Sequence, residues 1–183
     1  MTEDTDQSLL RRVAEGSEEA MRALYDRHQA GMYRFVRSRL NDPFEAADAV
    51  HDAMLDVWRK AGRYKPRASV KSWMFTIARN KAIDQLRKTK RTVTADPDET
   101  VPDDALNPEQ ALAASQDATL VRWCLQGLSA AHRTVLQLAF FQELSYPEIA
   151  EVEDLPLGTV KTRVHHAKRL MIRCLSNDSA RAG

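Results

Sequence analysis

Apolar residues recur at spacings of three and four along most of the chain, and strand-type alternation is nowhere sustained. That periodicity restricts the fold to packed helices, because a 3.6-residue turn brings such positions onto one face. A first short helix is expected over 6–15, with Leu9, Leu10 and Val13 inward, stopped at Gly16. Ser17 can cap a second, whose stripe is Met21, Leu24, Tyr25, His28, Met32, Phe35, Val36 and Leu40. Asn41-Asp42-Pro43 then breaks the pattern. Asp42 suits an N-cap, Pro43 the first helical position, and Glu45 can close a capping box. The third helix carries Val50, Ala53, Met54, Val57, Trp58 and Ala61 and ends at Gly62. A fourth, capped by Ser69, turns Val70, Trp73, Met74, Ile77, Ala78 and Leu86 inward.

The periodicity lapses over 92–106, which holds Pro97, Pro102 and a run of acids and cannot bury a core. It resumes at the cap Asn107-Pro108-Glu109-Gln110 and continues through Leu112, Val121, Cys124 and Leu125. Ser129 opens a further helix with Val135, Leu136, Leu138 and Ala139. Ser145-Tyr146-Pro147-Glu148 is a second capping box, followed by Ile149 and Ala150. The last helix starts near Pro156 and runs toward Leu175, with Val160, Val164, Ala167 and Leu170 inward. The expected fold is all-α, with two small helical domains at 1–91 and 107–176. An acidic flexible linker at 92–106 joins them, and 177–183 is expected to be a disordered tail.

Charge is distributed unevenly. From 58 to 91 there are twelve basic residues and a single acid, Asp84, a net of +11. From 92 to 121 there are seven acids and no base, and from 159 to 173 five bases and no acid. Two basic blocks flanking an acidic stretch suit two contacts with a polyanion, although solvated helix faces give the same pattern. No segment approaches the roughly 18 apolar residues of a membrane span, and the polar start holds no signal-peptide core. With only Cys124 and Cys174, neither a disulfide framework nor a cysteine zinc site is expected, and Cys124 reads as a core residue. A cytosolic protein without a cofactor is the simplest expectation. There is no nucleotide-binding glycine loop, no metal-ligand cluster and no nucleophile with a base and orienting partner. An enzyme is therefore not expected.

The segment 145–175 has the form of a helix-turn-helix, a short helix followed by a longer basic one. In that arrangement the second helix enters the major groove and its early residues meet base edges. Lys161, Thr162, His165 and His166 would face outward there.

At Leu144-Ser145-Tyr146-Pro147-Glu148-Ile149-Ala150 and Leu155-Pro156-Leu157-Gly158-Thr159-Val160-Lys161-Thr162-Arg163 the chain resembles region 4 of the sigma-70 family, in its extracytoplasmic-function (ECF) group. Ser72-Trp73-Met74-Phe75-Thr76-Ile77-Ala78-Arg79-Asn80-Lys81-Ala82-Ile83-Asp84-Gln85-Leu86-Arg87 independently resembles the region 2 helix that engages the −10 element. Residues 48–58 resemble the preceding segment, which docks on the polymerase clamp. The resemblance spans about residues 24 to 175. It implies a sigma factor that binds core RNA polymerase and promoter DNA, with an anti-sigma protein as inhibitor.

Carried over residue by residue, it implies −35 contacts from Thr159, Lys161, Thr162, Arg163, His165, His166 and Lys168. It implies −10 contacts from Tyr64, Lys65, Arg79, Asn80, Lys81 and Arg87. Tyr64, Lys65 and Asn80 are candidates for a pocket that holds an extruded base, where stacking is worth about 1–3 kcal/mol. Tyr64 is alternatively a packing residue at the domain edge. Asp48, Asp52 and Asp56 recur every four residues on one side of the third helix and, with His51 and Leu55, suit a polymerase-docking face. Two positions depart from the family's usual residues: His51 where glutamine is common, and His166 where arginine is frequent. A neutral histidine lacks arginine's bidentate grip on guanine, so His166 leaves −35 base choice open. His165 and His166 are about 100° apart around the helix, which disfavours a shared metal. The rival reading, a stand-alone helix-turn-helix regulator, has no use for the basic block at 58–91.

Overall fold

The computed structural model describes residues 5–92 and 116–179. The expected linker, apart from Thr92, and the expected cap at Asn107 lie outside them, as does Leu112. The first lobe comprises α1 (Asp6–Ala14), α2 (Glu18–Arg37), α3 (Pro43–Lys60), a 3-10 turn (Ala61–Arg63) and α4 (Val70–Thr92). The second comprises α5 (Gln116–Gln126), α6 (Ala130–Leu136), a π turn (Gln137–Phe141), α7 (Tyr146–Glu153) and α8 (Leu157–Ser179). Among the described residues there is no strand.

The caps form where the sequence places them. Ser17 Oγ accepts from Ala20 N at 3.2 Å, and Asp42 Oδ1 accepts from Phe44 N and Glu45 N at 2.7 and 2.9 Å. Each such cap satisfies amides that the helix leaves unpaired and contributes about 1 kcal/mol. Glu45 does not close the second half of a box. Its carboxylate accepts from Thr89 Oγ1 at 3.1 Å instead, which ties the start of α3 to the end of α4.

The first lobe buries Leu9, Leu10, Val13, Leu24, Met32, Val36, Met54 and Met74, with Phe35 and Phe75 edge to face at 5.2 Å. A fully buried side chain of this size stabilises the fold by about 1.5–3 kcal/mol. His28 is buried on the α2 stripe as expected, with Nε2 2.7 Å from Asp6 Oδ2. Arg27 Nη1 reaches the other Asp6 oxygen at 2.6 Å, so α1 is docked on α2 by polar as well as apolar contacts.

Four expected core positions face solvent instead: Tyr25, Trp58, Leu86 and Leu170. On α4 the inward row passes from Ala78 to Ala82, and Gln85 and Thr89 stay half-buried toward α3. Leu86 lies off that row. On α8 the seam runs Val160, Val164, Ala167, Met171 and Cys174, so Met171 takes the place expected of Leu170. The last helix continues through Ser179, past the expected end of the domain at 176.

In the second lobe the Arg133 guanidinium donates to the carbonyls of Leu125, Gln126 and Leu128 at 2.8–3.0 Å. These satisfy the end of α5, where carbonyls have no helical partner. The two cysteines, expected not to bridge, are disulfide-bonded, with Cα atoms 5.9 Å apart across α5 and α8. Cys124 occupies the inward side of α5 and Cys174 continues the inward seam of α8. Two helices that pack together bring these distant positions into bonding range.

Candidate nucleic-acid and polymerase interfaces

The helix-turn-helix is built from local chemistry. Ser145 N and Oγ both donate to Glu148 Oε2, at 2.8 and 2.7 Å, and Glu148 N returns a bond to Ser145 Oγ. This reciprocal box starts α7, with Pro147 in its first turn. Asp154, at φ 54°, ends it in the left-handed region, and Leu155 N bonds Ala150 O across the turn. Ile149, Val152, Val160, Val164 and Ala167 then fasten the two helices to the lobe.

With its seam buried, α8 presents Lys161, Thr162, His165, His166 and Lys168 to solvent, while Thr159 and Arg163 are half-buried. Thr162 Oγ1 donates to Gly158 O at 2.9 Å, leaving its lone pairs outward. The ring of His166 lies 6.4 Å from that of His132 and 6.0 Å from that of His165. Lys168 Nζ sits 4.9 Å over the Phe140 ring, which orients its charge beside the exposed face. Among the described residues no cluster of three or more His, Cys, Asp or Glu side chains could hold a metal ion.

In the first lobe, Lys65, Asn80 and Arg87 are exposed and Tyr64, Arg79 and Lys81 half-buried. The Tyr64 ring packs 5.3 Å from the Trp73 ring and its hydroxyl donates to Ala68 O. Burial, and then the nearby Glu148 carboxylate, push the Tyr64 hydroxyl above its ordinary pKa. The structure therefore gives Tyr64 a packing contact at the lobe edge. Asp48, His51, Asp52 and Leu55 form an exposed row on α3. Asp56 does not extend that row freely, because it binds Lys60 at 2.8 Å and Lys81 at 3.1 Å. Lys81, expected at DNA, is thus an inter-helix tether as well.

The geometry defines a two-lobed helical protein with a helix-turn-helix in the second lobe. Residues 24–92 match Sigma-70 region 2, and residues 119–171 match Sigma-70, region 4. The chain is 31% identical to the ECF RNA polymerase sigma factor SigK of Mycolicibacterium vanbaalenii, over 92% of this chain and 88% of that protein. It is 33% identical to the ECF RNA polymerase sigma factor RpoE of Cereibacter sphaeroides, over 91% of this chain and 95% of that one. The solved structure of the sigma factor RpoE of Bartonella quintana, in complex with the anti-sigma factor NepR, is similar in fold. Its TM-score is 0.66 at 26% identity, covering 84% of this chain and 97% of that one. The chain belongs to the ECF group of the sigma-70 family.

Two features escaped the sequence reading. The disulfide had an available signal, since both cysteines sit at inward helical positions. The contacts between the lobes, where Arg39 pairs with Glu153 and Glu148 accepts from Ser69, had none.

Proposed function

We propose that the chain binds core RNA polymerase in the cytoplasm and directs initiation by reading a −35 element with α8 and a −10 element with α4. The observation that supports this best is the basic, outward face of α8 carried in one chain with a second basic lobe. A stand-alone regulator would need only the first. Within the reading, residues 1–91 dock on polymerase and help open the −10 strands, and 107–176 hold the −35 duplex. Lys65 and Asn80 are exposed on the α4 side, where a displaced strand needs charge and hydrogen bonds. Asp48, His51, Asp52 and Leu55 form the docking face on the polymerase. The chain supplies no catalytic group of its own. An inhibitor that covers these faces fits the same reading, since the Bartonella relative was solved with an anti-sigma factor.

Run-off transcription with purified core polymerase on a promoter library tests the proposal. Sequence-selective transcripts that require the chain are the expected result. DNA binding by the chain alone, with no stimulation of polymerase, would favour the stand-alone regulator.

A further inference from the structure

Two neighbouring histidines of the second lobe differ in what holds them. His132, half-buried on α6, has Nδ1 3.1 Å from Ser129 Oγ, and the same hydroxyl accepts from the His132 amide at 3.4 Å. Ser129 thus tethers both the backbone and the ring of His132. The helix that carries it is itself fixed in the lobe. Thr134, Val135 and Leu136 are buried, and the Arg133 guanidinium binds three carbonyls at the end of α5. His166, by contrast, stands on the exposed face of α8 and makes no hydrogen bond to any described residue. Both of its nitrogens are open to a ligand.

What His166 does have is ring contact. Its centroid lies 6.4 Å from that of His132 with the planes 32° apart, within the range of offset ring pairs. The His165 ring stands edge-on to it at 6.0 Å. An exposed side chain otherwise samples several rotamers, and ordering it at an interface opposes binding. Aim matters more for histidine than for arginine. An imidazole bonds only through its two ring nitrogens and has no donor fork, so it meets a base edge only where the ring points. The direction of the His166 ring therefore decides which base pair it can reach.

We propose that His132, which precedes the helix-turn-helix in the sequence, is a positioning residue for −35 recognition. Tethered by Ser129, it holds the His166 ring in the orientation that reads one base pair. This rests on the promoter-recognition reading above.

The test uses holoenzyme reconstituted from core polymerase and the full chain, with run-off transcription from promoters varied one −35 base pair at a time. The parent is compared with H132A, H132F, H166A and H132A/H166A, and circular dichroism checks that each is folded. H166A is expected to lose base preference at one −35 position. H132A is expected to lower the preference at that same position about threefold or more and to leave the other positions unchanged. H132F keeps a flat ring against His166 and should recover much of the loss. In the H166A background, H132A should have no further effect.

H132A that keeps the parental preference, or that lowers the yield from every promoter alike, would overturn the positioning role. So would H132F that is no better than H132A. A loss of preference that persists in the H166A background would also overturn it, because His132 would then read DNA itself. If H166A changes preference nowhere while the parent still initiates selectively, this proposal falls and the promoter reading stands. No selective initiation by the parent holoenzyme would remove the promoter reading, and this proposal with it.

Discussion

Asp56 Oδ2 lies 3.1 Å from Lys81 Nζ, so the helix assigned to polymerase docking is tied to the helix assigned to the −10 element. Lys60 Nζ shares the same oxygen at 2.8 Å, and hydrogen bonding from Lys60 is the main influence holding the Asp56 carboxyl below its ordinary value. The carboxylate is shielded, and three cations converge on it once Arg59 at 3.9 Å is counted. Such networks exceed the contribution of an isolated surface pair.

Asp56→Asn is expected to lower stability by about 1 kcal/mol, read as a shift in urea midpoint at unchanged slope. A double-mutant cycle with Lys81→Met isolates the pair. A coupling indistinguishable from zero would show that Asp56 acts through Lys60 alone.

Asp6 supplies a pH-dependent joint. Burial raises its pKa, but bonds from His28 and then Arg27 outweigh this, leaving it below 3.8. A carboxyl depressed on folding contributes stability that is fully present above its unfolded value and lost as pH falls through the folded one. The stability gap between the parent and Asp6→Asn should therefore be open near neutral pH and close with acidification below about 4. Denaturation midpoints across that range check it. A gap that widened in acid would mean that Asp6 does not hold α1 through its charge.

The parts legible in the sequence are those decided within a turn or two of helix. The Ser145–Glu148 box, the Asp42 cap and, Tyr25 apart, the α2 stripe are set by neighbours three or four residues away, and each is present. Where the reading failed, helix-to-helix register decided. Leu170 and Met171 are both compatible with a stripe passing through Ala167, and only the position of the rest of the lobe selects Met171. Asp56 reads as one of three equivalent acids until α4 brings Lys81 beside it. Likewise Glu148 shows its role in the box, but its bond to Ser69 depends on two lobes meeting across 79 residues.

The Cys124–Cys174 bridge closes a loop of 50 residues in the second lobe. Constraining a loop of that size in the unfolded chain contributes about 2–4 kcal/mol. Reductant, or Cys124→Ser, should therefore lower the unfolding temperature of the second lobe. Differential scanning calorimetry with and without reductant measures this. Identical transitions in both conditions would show that the α5–α8 packing alone sets the stability of the lobe.

The recognition helix makes the most specific prediction, because two of its exposed side chains should fail in different ways. Lys161 is a flexible point charge suited to phosphate, so Lys161→Ala should weaken all −35 duplexes alike and reduce the salt slope by about 1. His166 is exposed on the same face but contributes an imidazole ring, which has no donor fork. Replacing it by arginine introduces a planar fork that matches guanine O6 and N7, worth about 1–3 kcal/mol of discrimination. His166→Arg should therefore alter base preference at one −35 position while leaving the others unchanged. Fluorescence anisotropy on duplexes varied one base at a time, at two salt concentrations, separates the two effects. If His166→Arg instead strengthened every duplex equally, His166 would lie over the phosphate backbone, and the base-reading face of α8 would have to be centred nearer Lys161 and Thr162.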